Sequence, residues 1–483
     1  MHCFNPRCAG CRFWDLALRE HAAFNPSGIY DDAMSSFFRN VDTRYQPPSD
    51  IPIADGLRPI SALRARAVLV DSEEGVVSQL MRGHLSDLFD KSMIVTDVSG
   101  AGNNWAHGHS VYGPAHRDRF LDCVRRSAEA CDSLQCFSLV HSLGGGTGSG
   151  LGTYLLGALK EAYPKQLRFA TSVFPAPNDD VITSPYNSVL AAAELIRHAD
   201  AVFPVDNESL GELTTRALAK QANAGEGTRG PNIVDNDTGK IGLGGGGVST
   251  RQRAFDGMNN VVAHVLANLT ASVRFEGALN VDLSDLTSSL VPYPKMHFLM
   301  PALAPLYAVR DVRYRPQRLE GLFSDVLGPH AQLMRAENAA SDPRHSTMLA
   351  CALLLRGDVT VSDAQRNLAR LRPQIKLPSW NPDGVKIGLC AAPSVGQPQS
   401  LLALSNSCAM GSVLSDAVSR FDRLYKRKAH VHHFTEYVET DVLAHARETV
   451  RHTALEYEKV GAQAGMAPSD EARELMQRIK GGF

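Results

Sequence analysis

Ten consecutive residues, 141–150, constrain the fold of this chain more than any other stretch, and they read HSLGGGTGSG. The apolar run 136–140 predicts a buried strand ahead of them, and apolar residues at helical spacing over 151–158 predict a helix behind them. A glycine loop between a strand and a helix N-terminus favours an anion, because its backbone N–H groups are unshielded and the helix dipole is positive there. Thr147 and Ser149 add hydroxyl donors. The stretch therefore predicts an anion site.

This glycine loop, residues 144–150, matches neither of the common phosphate-binding motifs. A P-loop requires a lysine, which is missing here, and the spacing from Gly144 or Gly146 does not give the Gly-x-Gly-x-x-Gly dinucleotide fingerprint. Two formal matches to that fingerprint lie within 221–253, but neither follows a strand or opens a periodic helix. We interpret 221–253, which is rich in Gly, Asn, Asp and Thr, as a flexible insertion. A tight turn without a ligand remains the alternative for the glycine loop.

Composition indicates an ordinary intracellular globular protein. The 483 residues leave room for roughly three domains. A formal net charge of −2 favours neither nucleic acid nor an anionic membrane as a partner, and no apolar run reaches the roughly 20 residues of a bilayer span. Nine cysteines in a chain of this length indicate a reducing compartment. Cys8 with Cys11, and His430, His432 and His433, lack the further ligands of a metal site, and we interpret the histidines as a basic surface.

Acidic and amide side chains follow four other predicted strands. They are Asp71 with Glu73, the segment 100–105 (GAGNNW), Asp179 with Asp180, and Asp206 with Asn207. Because strands and helices alternate, we expect a doubly wound, mostly parallel sheet whose carboxyl edge gathers these loops. Glycines suit phosphates, carboxylates suit Mg²⁺ or ribose hydroxyls, and an asparagine suits the edge of a base. Solvated surface loops are the alternative.

The chain divides into four predicted parts. Residues 1–254 form a Rossmann-like nucleotide-binding domain on the doubly wound sheet, and 255–275 form one long core helix with an apolar stripe. Residues 276–405 alternate strand-like and helical segments and form a second α/β domain. Residues 406–483 form a C-terminal helical domain. The predicted fold class is therefore α/β with a helical C-terminal part.

These motifs together resemble the tubulin superfamily. The glycine loop looks like its phosphate-binding signature, and 100–105, 275–282 (FEGALNVD) and 290–298 (LVPYPKMHF) follow in the superfamily's order. Three further segments look like the epsilon branch of the superfamily: 13–21 (FWDLALREH), 35–44 (SSFFRNVDTR) and 180–187 (DVITSPYN). The resemblance extends from Phe13 to about Val460 and implies a tubulin-like fold.

The resemblance implies a site for GTP or GDP with Mg²⁺. The implied contacts to phosphates are Ser142, Gly144, Gly145, Gly146, Thr147, Gly148, Ser149, Gly102 and Asn103. The implied neighbours of Mg²⁺ are Asp71 and Glu73. The implied contacts to guanine are Asn207, Asn259 and Phe255, which would stack on the base where the family commonly has tyrosine. Ser184 stands where conventional subunits have a ribose-binding glutamate, so we expect weaker ribose contact there.

Hydrolysis in this superfamily is completed in trans by a carboxylate that follows the long helix and activates water at a neighbour's nucleotide. The resemblance therefore implies Asp282 and Asp285 as catalytic residues. Asp285 stands where alpha-type subunits have glutamate, and its reach is one methylene shorter, which matters for positioning a water. Helix-end carboxylates facing solvent are the alternative.

The resemblance implies a GTP-binding cytoskeletal subunit of centrosomes, centrioles or basal bodies, and a weak, assembly-dependent GTPase. Its implied partners are other tubulin-family subunits, microtubules and centriolar proteins, with neither nucleic acid nor a membrane among them. The alternative function is a structural adaptor that binds microtubules or centriolar partners without hydrolysing GTP.

Two departures from the superfamily pattern modify these expectations. Only Gly10 and Cys11 align with the opening strand and Gly-Gln-Cys-Gly-Asn-Gln-Ile-Gly loop of the superfamily. We therefore expect an incomplete N-terminus, two strand edges without a neighbour and weakened nucleotide affinity. The acidic C-terminal tail of conventional subunits is also replaced here by 477–483 (QRIKGGF), so partners that recognise acidic tails should not bind.

Overall fold

The computed structural model describes residues 9–26, 32–45, 49–51, 53, 60, 62–176, 179, 181–224, 250–306, 318–335 and 345–464. Its strands are β1 (Phe38–Asp42), β2 (Ser49–Ile51), β3 (Leu63–Ala65), β4 (Leu69–Asp71), β5 (Ile94–Thr96), β6 (Cys136–Ser142), β7 (Leu167–Phe174), β8 (Ala201–Asp206), β9 (Met300–Ala304), β10 (Met348–Gly357), β11 (Val385–Cys390) and β12 (Gln399–Ser407). Its helices are α1 (Ala9–Phe24), α2 (Glu74–Leu80), α3 (Trp105–His107), α4 (Gly113–Glu129), α5 (Gly152–Ala162), α6 (Ser184–His198), α7 (Asn207–Ala224), α8 (Thr250–Leu269), α9 (Ala271–Arg274), α10 (Leu283–Leu290), α11 (Leu319–Val326), α12 (Val361–Leu371), α13 (Met410–Tyr425), α14 (His432–Thr435) and α15 (Thr440–Ala464).

A parallel sheet in two pieces carries the first half of the chain. Strands β6, β7 and β8 pair in that order, and β4 pairs with β5, all in parallel register. The predicted α/β class is confirmed. The order β5–β4 and β6–β7–β8 has a break where a doubly wound sheet places its first strand, and the described residues supply no strand there. Residues 1–8, which precede α1, lie outside the described part.

The two pieces of this sheet nevertheless stay adjacent at their carboxyl edge. Ser72 Oγ, just after β4, lies 2.6 Å from Thr147 Oγ1, just after β6. Leu69 of β4 and Val140 of β6 share one apolar core, and Val70 packs with α5 side chains in another. The loops after β4 and β6 therefore face each other although the described residues place no strand between them.

Helix α1 confirms the predicted helix at 13–21 and extends it at both ends. Trp14 of this helix packs edge-to-face on Phe38 of β1, with ring centroids 5.4 Å apart. Phe38 belongs to an antiparallel sheet in the order β2–β1–β3, which the sequence analysis did not predict. Its strands are too short, at three to five residues, to give a period-two pattern.

Glycines allow close packing within two helical segments beside the first sheet, and the segment behind the glycine loop begins earlier than predicted. Helix α4 is the end of a helical segment that begins at Trp105 and passes through a wide π-type turn, Gly108–Tyr112. A Cβ on Gly108 would lie 2.5 Å from the Gly146 carbonyl oxygen, and one on Gly113 would lie 2.5 Å from the Tyr154 ring. A second π-type turn, Thr147–Leu151, begins inside the glycine loop and continues into α5.

The core helix is broken once, contrary to the prediction of one helix over 255–275. Helix α8 ends at Leu269, and α9 begins at Ala271. The Thr270 hydroxyl donates to the Leu266 carbonyl oxygen at 2.8 Å, a bond from residue i to i−4 that bends helices. The predicted insertion is also shorter than 221–253, because α7 and α8 take four residues from each of its ends and leave 225–249 outside the described part.

The second sheet has the order β11–β10–β12–β9, in which only β10 and β11 are parallel. All ten residues of β10 are buried, so this strand is the centre of the second core. Val202 of β8 donates to the His297 carbonyl oxygen at 2.9 Å and accepts from Leu299 N–H at 2.8 Å. The first sheet thereby continues by backbone pairing into the segment that leads to the second.

A buried ion network ties α1 to the end of the core helix and to β10. Glu20 Oε2 lies 2.7 Å from Arg274 Nη2, and Glu20 Oε1 accepts a hydrogen bond from Arg356 Nη1 at 2.8 Å. All three side chains are at most 2% exposed. The backbone carbonyl oxygen of Ala267 accepts a hydrogen bond from Arg274, and that of Ala392 accepts one from Arg356. These oxygens face the positive charge that Glu20 does not neutralise.

The C-terminal part is helical, as predicted, with α13 and α15 packed on each other and on α6. Phe421 of α13 and Tyr457 of α15 are fully buried in the shared core. Tyr186 of α6 donates its hydroxyl to the Ala429 carbonyl oxygen at 2.7 Å, just beyond α13. Over the described ranges, no helix combines the length and the apolar composition that crossing a bilayer would require.

Candidate functional site

The glycine loop begins at the carboxyl end of β6. It is bound by His141, which was not among the predicted site residues. His141 Nδ1 lies 2.8 Å from the Gly148 carbonyl oxygen, and His141 Nε2 lies 2.8 Å from Ser172 Oγ on β7. Burial lowers the pKa of His141 to about 4, so the ring is neutral. A neutral ring with a carbonyl at Nδ1 donates there and accepts the Ser172 hydroxyl proton at Nε2. The signal in the sequence was a histidine directly after the apolar run 136–140 and before the glycine loop.

The hydroxyl groups of the glycine loop are engaged within the protein. Ser149 donates its hydroxyl to the Gly145 carbonyl oxygen, which departs from its expected use as an anion donor. Thr147 Oγ1 pairs with Ser72 Oγ, and Ser142 Oγ accepts from Gly144 N–H at 3.3 Å. The loop therefore offers an anion its backbone N–H groups at a helix start rather than a set of free hydroxyls.

The segment 100–105 lies directly against the glycine loop. A Cβ on Gly146 would come within 2.6 Å of the Asn104 backbone nitrogen, so only glycine allows this approach. Gly102 and Asn103 adopt left-handed backbone conformations, with φ of +58° and +52°. Asn103 Oδ1 lies 3.6 Å from where a Cβ on Gly145 would be. The structure thus brings the two predicted phosphate loops together.

Asp71 ends β4 at the same edge and is only 2% exposed. Its Oδ1 accepts from Glu73 N–H at 3.1 Å, while its Oδ2 has no hydrogen-bond partner in the described part of the chain. Burial raises the pKa of Asp71 to about 6. Glu73 lies against the neighbouring loop, since its Oε1 is 2.5 Å from where a Cβ on Gly100 would be.

A buried carboxylate oxygen without a partner is the kind of group that a divalent cation satisfies, so Asp71 fits Mg²⁺. Within the described ranges, no three His, Cys, Asp or Glu side chains are grouped to hold a metal ion by themselves. Mg²⁺ is commonly held in this way, by one or two carboxylates together with phosphate oxygens and waters. Asp71 and Glu73 match that role and would need the phosphates of a ligand to complete it.

The residues predicted to contact the base and ribose lie on α6, α7 and α8. Asn207 and Asn259 are both partly exposed, at the start of α7 and within α8. Phe255 lies in α8, but its side chain is outside the described part, as is Asp180. Ser184 is 3% exposed and donates to Asp179 Oδ2 at 3.3 Å, beside Gly144 of the glycine loop.

Asp282 and Asp285 lie at the opposite end of the first sheet. Asp282 is within electrostatic reach of the Cys136 thiol at the amino end of β6, whereas the glycine loop begins at the carboxyl end, after Ser142. Asp282 Oδ1 accepts from Leu283 N–H at 2.7 Å, so this side chain caps α10. The Asp285 side chain is 53% exposed, and its Oδ2 lies 3.8 Å from Lys386 Nζ. Of the two predicted catalytic carboxylates, Asp285 is exposed and Asp282 is half-buried.

The C-terminal helices close the outer side of the candidate site. A cavity of about 480 Å³ lies between segment 101–104 and residues of 430–437. Asn104 Nδ2 donates to the His433 carbonyl oxygen at 2.7 Å, and the His107 and Tyr437 rings stack with centroids 4.8 Å apart. The histidine cluster predicted as a basic surface therefore flanks the candidate site. Of the Cys8–Cys11 pair, Cys11 is buried in α1 and Cys8 lies outside the described part.

Comparison with known proteins agrees with this arrangement. Residues 8–215 match the model of the Tubulin/FtsZ family GTPase domain, and residues 294–419 match the model of the Tubulin C-terminal domain. The chain is similar to the tubulin epsilon chain of Homo sapiens, with 47% identity over 468 residues that cover 96% of each chain. It is 49% identical to the tubulin epsilon chain of Mus musculus over 429 residues, which cover 88% of this chain and 87% of that one.

A more distant relative extends the comparison beyond the epsilon chains. The tubulin beta-2 chain of Suillus bovinus is 34% identical over 436 residues, which cover 88% of this chain and 87% of that one. The identity with the two epsilon chains is higher, so the predicted resemblance to the epsilon branch is confirmed as well. By its two domain matches and by these relatives, the chain belongs to the tubulin family.

Proposed function

We propose that this chain is a GTP-binding cytoskeletal subunit that assembles with other tubulin-family subunits and turns over GTP only in the assembly. The observation that carries the proposal is the meeting of three features at one sheet edge. These are the glycine loop, the left-handed Gly102–Asn103 turn and the buried carboxylate of Asp71. Backbone N–H groups at a helix start bind phosphate, and the Asp71 Oδ2 atom, which has no hydrogen-bond partner among the described residues, suits a phosphate-bound cation.

Each residue of the proposed site has a distinct role. The backbone of 144–149 binds the phosphates, Gly102 and Asn103 bind the terminal phosphate, and Asp71 with Glu73 holds Mg²⁺ when it is bound. Asn207 and Asn259 read guanine, which Phe255 stacks on. Mg²⁺ would neutralise charge that develops on the phosphate oxygens.

Completion of hydrolysis by a neighbouring subunit is supported by the distance between the two ends of β6. This strand runs for about 20 Å from Cys136 to Ser142. Asp282 is near the first end and the glycine loop begins at the second, so Asp285, in the same short helix as the cap Asp282, is far from the phosphate loop of its own chain. A head-to-tail stack would bring Asp285 of one copy to the phosphate loop of the next, the symmetry that produces filaments. We assign the activation of water to Asp285, and capping of α10 to Asp282.

Nucleotide analysis of the purified chain tests the GTP site. The protein is denatured after gel filtration and the released nucleotide is identified by chromatography, with and without prior incubation in GTP and Mg²⁺. We expect about one guanine nucleotide per chain. Release of no nucleotide, together with no binding of added GTP, would contradict the proposal.

The catalytic assignment is tested by the variant Asp285→Ala in the presence of the tubulin subunits that it assembles with. We expect loss of assembly-dependent phosphate release with unchanged nucleotide content. Asp383→Ala removes another exposed carboxylate, paired with Arg372, and should leave phosphate release unchanged. Equal phosphate release by the unmodified chain, Asp285→Ala and Asp383→Ala would contradict a role for Asp285.

A non-hydrolysing adaptor is the second candidate function, and two observations favour it. Ser184 is buried against Asp179, so it offers the ribose less than the glutamate of conventional subunits would. The described residues also supply no strand between β4 and β6, beside the site. Bound GTP that is never hydrolysed when partner subunits are present would establish the adaptor and exclude the GTPase.

The similarity to epsilon chains leads us to propose centrosomes, centrioles or basal bodies as the place of assembly, with centriolar proteins as further partners. Fluorescent tagging at the C-terminus, with a centriolar marker in the same cells, tests this. Signal along cytoplasmic microtubules without enrichment at centrioles would contradict it.

A further inference from the structure

One buried amide joins the two loops of the proposed phosphate site. Asn187, in the second turn of α6, has no exposed surface. Its Nδ2 donates to the carbonyl oxygens of Asn103 and Gly144, both at 2.8 Å. Its Oδ1 accepts from Trp105 N–H at 2.9 Å. Both amide hydrogens and the amide oxygen are thus used, and every one of these bonds goes to the backbone of a phosphate loop or its edge.

A second hydrogen bond from α6 reaches the same point. Thr183, the residue just before α6, donates its hydroxyl to the Asn103 carbonyl oxygen at 2.9 Å. Asn103 is therefore bound twice at its carbonyl while its backbone is left-handed, with φ of +52°. A residue with a Cβ adopts that conformation at a cost, and it persists only where the surroundings fix it. The two bonds from 183 and 187 are the contacts that fix it.

We propose that Asn187 and Thr183 are positioning residues that make the site selective for a nucleotide with a terminal phosphate. They hold Asn103 in its left-handed turn and at a fixed distance from Gly144, so that the loop meets the terminal phosphate already ordered. The selectivity rests on the proposed GTP site. Asn187 acts on both loops, whereas Thr183 acts on the Asn103 loop alone. Replacing the two residues should therefore change the affinities for GTP and GDP in different ways.

The chain offers a matched control for a buried amide that bridges two backbone carbonyls. Asn406 of β12 also has no exposed surface, and its Nδ2 donates to the carbonyl oxygens of Leu290 and Met296 at 2.8 and 2.7 Å. These bonds join the second sheet to the end of α10 rather than to a phosphate loop. Asn406→Asp therefore imposes the same chemical change as Asn187→Asp away from the proposed nucleotide site.

The experiment measures the affinities of the full chain for GTP and for GDP by displacement of a fluorescent guanine nucleotide. For Thr183→Val we expect about fivefold weaker GTP binding with GDP binding unchanged within about twofold. For Asn187→Asp we expect both affinities to fall, with that for GTP falling by a further factor of about ten. Asn406→Asp should leave the GTP-to-GDP affinity ratio at its original value.

The outcomes separate the positioning role from the nucleotide site itself. If the unmodified chain binds neither nucleotide, the proposed function and the positioning role are both wrong. If it binds both and the ratio is the same in Thr183→Val and Asn187→Asp as in the original chain, the positioning role is wrong and the nucleotide site stands. A shift of the ratio in Asn406→Asp as large as in Asn187→Asp would also overturn the role, because the effect would then be a general loss of packing. Should Asn187→Asp not fold, the nearly isosteric Thr183→Val decides the question alone.

Discussion

Replacing Glu20 by glutamine tests how much the buried ion network contributes to the stability of the fold. Burial opposes ionisation of Glu20, but the guanidinium groups of Arg274 and Arg356 outweigh it and hold its pKa below the usual range. Glutamine has nearly the same shape but no charge, and it presents an N–H group to one of the two cations. Two buried positive charges would then face each other without a counter-charge.

The expected loss follows from the geometry of the network. Breaking a buried pair by removing one partner costs about 3–5 kcal/mol, because the remaining charge stays buried and uncompensated. Glu20 contacts both cations, at 2.7 and 2.8 Å, with all three side chains almost fully buried, so the upper part of that range applies. The free energy of unfolding of Glu20→Gln should therefore fall by about 4–5 kcal/mol at pH 7.

Urea denaturation followed by tryptophan fluorescence measures this loss, because Trp14 lies one to two turns before Glu20 in α1. The control is Glu129→Gln, which breaks an exposed pair with Arg125 of similar length, 2.7 Å, and should cost less than about 0.5 kcal/mol. A loss of less than about 1 kcal/mol in Glu20→Gln, or one equal to that of the control, would show that the buried network does not stabilise the fold in this way.

Three further predictions follow from single side chains. Burial lowers the pKa of His21 from 6.5 to about 4, so the unfolded state takes up the proton first and the free energy of unfolding falls as the pH drops from 6.5 to 4. His21→Phe should remove up to about 3 kcal/mol of that fall, as measured by unfolding curves at several pH values. Asp282→Ala should lower the free energy of unfolding by about 1 kcal/mol because it removes the cap of α10, whereas Asp285→Ala should lower it by less than about 0.5 kcal/mol. Equal losses of the two variants in chemical denaturation would contradict their different roles. A Cβ on Gly150 would lie 2.3 Å from the Trp105 carbonyl oxygen, so Gly150→Ala should lower the free energy of unfolding by about 1–3 kcal/mol and should abolish nucleotide binding. The control is Gly75→Ala, which has nothing within 4 Å of its new Cβ and should be neutral or slightly stabilising in thermal unfolding.

The sequence predicted those parts of the fold that a local pattern determines. The run 136–140 lies in β6, and the apolar stripe after Phe255 lies mostly in α8. Both were predictable because burial of one or both faces of an element imposes a regular spacing of apolar residues along the sequence. The polar loops at Asp71 and 100–105 were placed at one sheet edge because parallel strands require it.

Features that depend on which acceptor a hydroxyl group takes, or on contacts between distant residues, were not predictable in this way. The break at Thr270 depends on where one hydroxyl finds an acceptor, and the Ser149 hydroxyl turned to its own loop for the same reason. Gly108 lies inside a helical segment, where the Gly146 carbonyl oxygen is 2.5 Å from the position a Cβ would occupy, and no local pattern indicates this approach. Nothing near Glu20 in the sequence indicates a partner 336 residues away.

That separation has a consequence for biosynthesis. At elongation rates of about 5–20 residues per second, Arg356 is made about 17–67 s after Glu20. Until Arg274 is made, the nascent chain holds a carboxylate that cannot be buried without an uncompensated charge, and the network is complete only when Arg356 follows. The contacts of helix α1 are therefore complete only after β10 has left the ribosome, although the strands of the first sheet are synthesised much earlier. The N-terminal helix is among the first elements made and among the last that can be completed.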